Sequence, residues 1–132
     1  MVWQVRVLLD THTLLWWLGE QSSLSLKAYA ILDDTENEIL VSAVSAFELS
    51  LKYHLGKLPE SAQLINDCEA CITKMQASQI NITPLHALRA GQHQSEHRDP
   101  FDRLLVAQAE LEGVALVSKD AQLQGFPIQI LW

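Results

Sequence analysis

Five short apolar runs recur along the chain. They span Val5–Leu9, Ile39–Val41, Ile80–Ile82, Val114–Val117 and Ile128–Leu131. Few polar residues interrupt them, and strict alternation of apolar and polar positions is absent. Such continuous runs are typical of strands that are covered on both faces. We therefore predict five strands at these positions.

The longer segments between the runs have the spacing of amphipathic helices. They span Thr11–Leu18, Leu26–Asp34, Val44–Leu55, Ser61–Ser78, Pro84–His93 and Phe101–Glu112, and a further short helix is expected after Asp120. Strands that alternate with helices indicate a parallel α/β sheet. Ligands of such sheets bind at the carboxyl ends of the strands, where the strand order reverses.

Composition narrows the class of protein. The 132 residues are 48% hydrophobic, which excludes a disordered chain and predicts one domain over residues 1–132. No apolar run approaches the roughly 20 residues of a membrane span, and Met1–Leu9 lacks the basic leader of a signal peptide. These features predict a soluble, cytoplasmic protein. The formal charge of −7 means that nucleic acid would be contacted locally or with the help of cations.

The two cysteines, Cys68 and Cys71, have the spacing of redox pairs and of half a zinc site. A structural zinc ion needs four ligands, and the sequence has no second pair. Both residues lie on the apolar face of the helix predicted over Ser61–Ser78. We interpret them as core thiols.

Three acids adjoin predicted helix starts. Asp10 follows the first strand and Asp120 follows the fourth, so each is equally compatible with a helix cap and with a ligand site. Asp99 precedes Pro100, a pairing that is typical of the first residues of a helix and favours a capping role.

Glu48 and Asp102 interrupt the apolar faces of two predicted helices. Their apolar neighbours are Val44, Leu51 and Leu55 for the first acid, and Leu105, Val106 and Ala109 for the second. A solvated glutamate would prefer the side of the helix on which Ser45 and Lys52 lie. Because a buried, unpaired carboxylate is costly, we interpret these two acids together with Asp10 and Asp120. Carboxylates that converge need a divalent cation such as Mg²⁺ or Mn²⁺, and such ions typically support hydrolysis of phosphodiesters.

Four segments, Leu8–Trp16, Val41–Leu49, His97–Ala109 and Leu116–Asp120, resemble PIN-domain proteins. The last two are similar to the VapC-type ribonuclease toxins of toxin–antitoxin pairs. The resemblance covers nearly the whole chain in the right order. It implies a three-layer α/β/α fold with a parallel five-stranded sheet in the order 3-2-1-4-5.

The resemblance also implies an endoribonuclease that needs Mg²⁺ or Mn²⁺, forms a homodimer and binds a cognate antitoxin over the active-site groove. Asp10, Glu48, Asp102 and Asp120 match the positions of the family's acids, with Asp99 as an accessory fifth. We expect Asp10 and Asp102 to ligate one ion, and Glu48 and Asp120 to hold a second ion or its waters. Attack by water would leave a 5′-phosphate and a 3′-hydroxyl.

Basic residues are concentrated near these acids. Arg98, Arg103 and Lys119 are candidates for contact with RNA phosphates, and an ordinary solvated loop is the equal alternative. His93 and His97 have the i, i+4 spacing of metal ligands, but the predicted loop before Asp99 argues against a helix that contains both, so we interpret both as polar surface.

Other functions fit less well. A receiver domain needs an acid pair at the end of the first strand, where Leu9 precedes Asp10. An aspartyl phosphohydrolase needs Asp-x-Asp, and His12 occupies the second position. An RNA-processing PIN nuclease without an antitoxin and a catalytically idle PIN scaffold that only binds a partner both remain alternatives.

Overall fold

A computed structural model describes residues 4–132; Met1, Val2 and Trp3, on which the interpretation of the N-terminus partly rests, lie outside the described residues. All pairings in the five-stranded sheet are parallel, and the strand order is β3-β2-β1-β4-β5. The strands are β1 (Arg6–Leu9), β2 (Glu38–Ser42), β3 (Ser78–Ile80), β4 (Ala115–Val117) and β5 (Ile130–Leu131). The predicted sheet and its order are therefore confirmed.

Seven α-helices connect the strands in the part of the chain that the structure describes. They are α1 (Thr11–Gly19), α2 (Leu26–Asp33), α3 (Ala43–His54), α4 (Ala62–Asn66), α5 (Cys68–Lys74), α6 (Pro84–Gln92) and α7 (Pro100–Glu112). Short 3₁₀ turns occur at Gln21–Ser23, Pro59–Ser61 and Ala121–Gly125. Over residues 4–132, no helix is long and apolar enough to cross a membrane.

The sheet is covered on both faces because successive residues of a strand point to opposite sides. Val7 and Leu9 of β1 pack into one hydrophobic cluster with residues of α1, α2 and α5. Leu8 packs into the other cluster with α7 and the 3₁₀ turn after β4. Burial on both sides explains the continuous apolar runs, and the three-layer α/β/α arrangement is the one predicted.

Two elements differ from the prediction. The single helix expected over Ser61–Ser78 is interrupted at Asp67, which has φ −152° and whose side chain caps α5 by accepting from the Ala70 N–H. The third strand was expected at Ile80–Ile82, but it ends at Ile80. The chain leaves the sheet there because Thr83 caps α6 three residues later.

The central strand, β1, marks the place where a ligand would bind. The chain passes from β1 to β2 on one side, whereas β4 lies on the other side of β1. Leu9 of β1 is in register with Val117 of β4, and the Asp10 N–H donates to the Val117 carbonyl at 3.2 Å. The residues that follow β1 and β4 therefore meet at the point where the strand order reverses.

Candidate active site

Asp10 lies at this reversal point and caps α1. Its Oδ1 accepts a hydrogen bond of 2.8 Å from the Thr13 N–H, and the residue is only 8% exposed. Burial raises the pKa of the Asp10 carboxyl above its usual range, although hydrogen bonds from Ser118 and Thr13 act in the opposite direction. Asp10 forms no ion pair within residues 4–132. A cation would relieve the cost of this buried charge.

Glu48 lies on α3 and is 4% exposed. The Thr11 hydroxyl donates to its Oε1 at 2.6 Å, and the Lys52 ammonium donates to its Oε2 at 2.5 Å. The carboxylate is therefore buried, as predicted, but it is already paired inside the protein.

The buried face of α3 agrees only in part with the predicted one, since Val44 and Glu48 are buried as expected. Leu51 and Leu55 are exposed, the latter by 61%, whereas Ser45 is fully buried. Ser45 tolerates burial because its hydroxyl lies within hydrogen-bond distance, 3.1 Å, of the Thr11 hydroxyl. The predicted apolar stripe was therefore wrong for Leu51 and Leu55, and polar contacts with Thr11 of α1 stabilise the observed orientation of the helix.

Asp99 and Asp102 lie at the start of α7. Asp99 Oδ1 accepts from the N–H groups of Phe101 and Asp102, at 2.9 and 3.2 Å, so its predicted capping role is confirmed. Asp102 is half-buried, and it lies one turn before the buried residues Leu105 and Val106.

His97 approaches Asp102 from the loop that precedes α7. Its Nε2 lies 2.7 Å from Asp102 Oδ2. One ligand atom from each of His97, Asp102 and Asp120 can be chosen so that all three lie within 4.8 Å of one another. The interpretation of His97 as polar surface missed this contact, because a loop residue shows no periodicity that would predict its neighbours.

Asp120 follows β4 and caps the 3₁₀ turn, with Oδ1 accepting from the Gln122 N–H at 2.9 Å. A cleft of about 340 Å³ opens beside it. Its lining residues are Asp10, His12, Trp16, Lys119 and Asp120. The cleft therefore joins the acids that follow β1 and β4.

Asp120 links the other acids at this edge of the sheet, because it shares the cleft with Asp10 and offers a ligand atom within 4.8 Å of one from Asp102. Burial raises the pKa of Asp102, the hydrogen bond from His97 lowers it, and the charges of Asp99 and Glu48 raise it further. Glu48 is thus close enough to Asp102 to affect its charge. Oxygen donors gathered in this way fit a hard divalent cation such as Mg²⁺ or Mn²⁺.

The three predicted RNA-binding cations have different surroundings. Lys119 is exposed and lines the cleft, with Nζ 6.0 Å from the centre of the Trp16 ring. Arg98 is exposed on the loop before α7. The Arg103 guanidinium instead donates to four backbone carbonyls, which favours a structural role over the RNA contact expected from the sequence.

Comparison with known proteins identifies a matching family and a similar relative. The PIN domain model matches residues 7–127. Ribonuclease VapC22 of Mycobacterium tuberculosis is 31% identical over 119 residues, which are 89% of each chain.

Two solved structures share the fold at low sequence identity. VapBC2 from Rickettsia felis, bound to a DNA fragment from its promoter, has a TM-score of 0.71 at 16% identity; 96% of this chain and 98% of the other are covered. FitAcB from Neisseria gonorrhoeae has a TM-score of 0.66 at 18% identity, and 96% of each chain is covered.

Proposed function

The chain belongs to the PIN domain family, and from this premise we propose that it is a metal-dependent endoribonuclease, the toxin of a toxin–antitoxin pair. The observation that carries the proposal is the convergence of acids from three distant segments at one edge of the sheet. Asp10 follows β1, Asp120 follows β4, and Asp102 lies at the start of α7. A relative named as a ribonuclease supports RNA as the substrate.

Each acid has a task in this proposal. Asp10, Asp102 and Asp120 hold a divalent cation, Mg²⁺ or Mn²⁺. When bound, that cation neutralises charge on the scissile phosphate and lowers the pKa of water. Glu48 remains hydrogen-bonded to Thr11 and Lys52, and its negative charge acts on Asp102 without direct contact with the cation. This is a more distant role than the direct hold on a second ion expected from the sequence.

Substrate is held at the mouth of the cleft. The exposed Lys119 lines the same cleft as Asp10 and Asp120, where its ammonium attracts an RNA phosphate to a protein with a net charge of −7. Arg98 extends the same basic edge. Water, not the ribose 2′-hydroxyl, is the nucleophile, so the products carry a 5′-phosphate and a 3′-hydroxyl.

The biological setting follows from the same premise. The structural neighbours VapBC2 and FitAcB support an antitoxin as the partner of this chain. We place the protein in the cytoplasm, where its RNA substrate lies, as a homodimer of one-domain chains.

Substitution of the acids tests the proposal. Asp10→Asn and Asp102→Asn each remove a cation ligand at constant side-chain size, and we expect each to slow RNA cleavage by about 10²–10³-fold. Asp33→Asn is the matched control, because Asp33 is exposed on α2 and outside the cleft. The assay uses a single-stranded RNA with Mg²⁺, Mn²⁺ or EDTA, and the product ends are analysed.

The proposed function predicts cleavage by the wild-type chain and by Asp33→Asn, and none in EDTA. Undiminished cleavage by either site variant would show that the substituted acid is not a ligand of the cation. Cleavage that persists in EDTA, or products with a cyclic 2′,3′-phosphate, would contradict the proposed chemistry.

A further inference from the structure

The Arg103 side chain of α7 makes most of the hydrogen bonds that hold the loop carrying His97. The Arg103 guanidinium donates to the carbonyls of Ala90, His93, Ser95 and His97, at distances of 2.8 to 2.9 Å. Hydrogen bonds from a charged donor are stronger than neutral ones, and the planar guanidinium fixes their directions. The backbone from Ala90 to His97 is therefore fixed relative to α7.

The imidazole ring itself is also oriented. It contacts the edge of the Phe126 ring, with 6.1 Å between the ring centres at 84°, and its side chain is only 14% exposed. Nε2 is directed at Asp102 Oδ2. A residue held in this way presents Nε2 to the acids at the site. A neutral ring with its proton on Nδ1 offers the Nε2 lone pair to a cation, which then replaces the Nε2–H hydrogen bond to Asp102.

We propose that His97 is a nitrogen ligand of the divalent cation, and that it makes the site selective for Mn²⁺ over Mg²⁺. The inference rests on the proposed function for the presence of the cation. Ligand atoms of His97, Asp102 and Asp120 that all lie within 4.8 Å of one another match donors around one ion with bonds of about 2.0–2.6 Å.

The selectivity follows from the donor chemistry. Mg²⁺ is satisfied by carboxylates and water, whereas imidazole is a ligand of transition metals. An all-oxygen cluster would hold both ions, but one imidazole nitrogen adds affinity mainly for the transition ion. The contacts of Arg103 support this selectivity because they hold the imidazole nitrogen of His97 in position before the ion binds.

The test measures coordination directly, without RNA. The full chain is titrated with Mn²⁺ alone and followed by electron paramagnetic resonance, and electron spin-echo modulation reports ¹⁴N coupled to the bound ion. His97→Gln removes the imidazole and can still donate to Asp102. His12→Gln is the control, because His12 is an exposed histidine that lines the same cleft. Circular dichroism establishes that each variant is folded.

We expect an imidazole ¹⁴N signal in the wild-type chain and in His12→Gln, and its loss in His97→Gln. The Mn²⁺ affinity of His97→Gln should fall by at least about tenfold, and its Mg²⁺ affinity, measured by competition, should fall less. Bound Mn²⁺ without ¹⁴N coupling, or equal Mn²⁺ affinity in folded His97→Gln, would overturn the inference. If the wild-type chain cleaves RNA while ¹⁴N coupling is absent, the proposed function stands and only the ligand assignment fails. If ¹⁴N coupling is present without cleavage, only the function fails.

Discussion

At the level of the single side chain, three of the acids near the site cap helical segments. Asp10, Asp99 and Asp120 each accept a hydrogen bond from a backbone N–H at the start of a helical segment. A carboxylate has two oxygens, so a cap made by one oxygen leaves the other for a ligand. Capping and ligand binding were alternatives at Asp10 and Asp120 in the sequence, and the geometry is compatible with both at once.

Substitution of Asp99 distinguishes a capping role from a catalytic one. Asp99→Ala removes the cap of α7, and we expect the free energy of unfolding to fall by about 1 kcal/mol, with RNA cleavage largely retained. Asp99→Ser should retain stability as well, because serine is also a good cap. Urea denaturation and the cleavage assay measure the two effects. If both variants are folded and as inactive as Asp102→Asn, Asp99 belongs to the catalytic acids.

The sequence was sufficient to single out the candidate acids but not the residues that contact them. Asp10, Glu48, Asp102 and Asp120 could be singled out because each broke a local pattern or followed a strand. The partners of Glu48 could not, since Thr11 lies 37 residues away along the chain. His97 was missed for a related reason: its contact with Asp102 depends on how the loop is folded back by Arg103.

At the level of the element, the loop between α6 and α7 depends on Arg103 more than on its own sequence. Arg103→Met removes four hydrogen bonds to carbonyls, and we expect it to lower the free energy of unfolding by about 3 kcal/mol. Arg98→Met is the matched control, since it removes the same charge from an exposed position and should change stability by less than about 0.5 kcal/mol. Equal midpoints and slopes in urea for the two variants would show that Arg103 is not the support of the loop.

The elements that were predicted correctly have strong local signals. The strands β1 and β4 are short apolar runs, and α7 begins at an Asp-Pro pair. The α4–α5 region was mispredicted because its apolar positions keep a helical spacing across Asp67, although the backbone angles of Asp67 are not helical. Gln76, which follows α5, adopts a positive φ of 57°, and this turn starts β3 earlier than the apolar residues suggested.

At the level of the whole molecule, topology assembles the site. The acids after β1 and β4 are more than 100 residues apart in sequence, and only the strand order makes them neighbours. The strand pattern predicted a parallel sheet, and the resemblance supplied its order. The individual distances required the folded chain, because they depend on side-chain rotamers and on tertiary hydrogen bonds.

The most direct test of this account is to locate the cation. A crystal of the full chain soaked in Mn²⁺ would be measured at the manganese absorption edge, where anomalous scattering reveals the ion independently of any expectation. The account predicts an ion bonded at about 2.0–2.6 Å to carboxylate oxygens of Asp10, Asp102 and Asp120. Ordered Mn²⁺ bound only elsewhere on the protein, with these carboxylates accessible and free of metal, would contradict it.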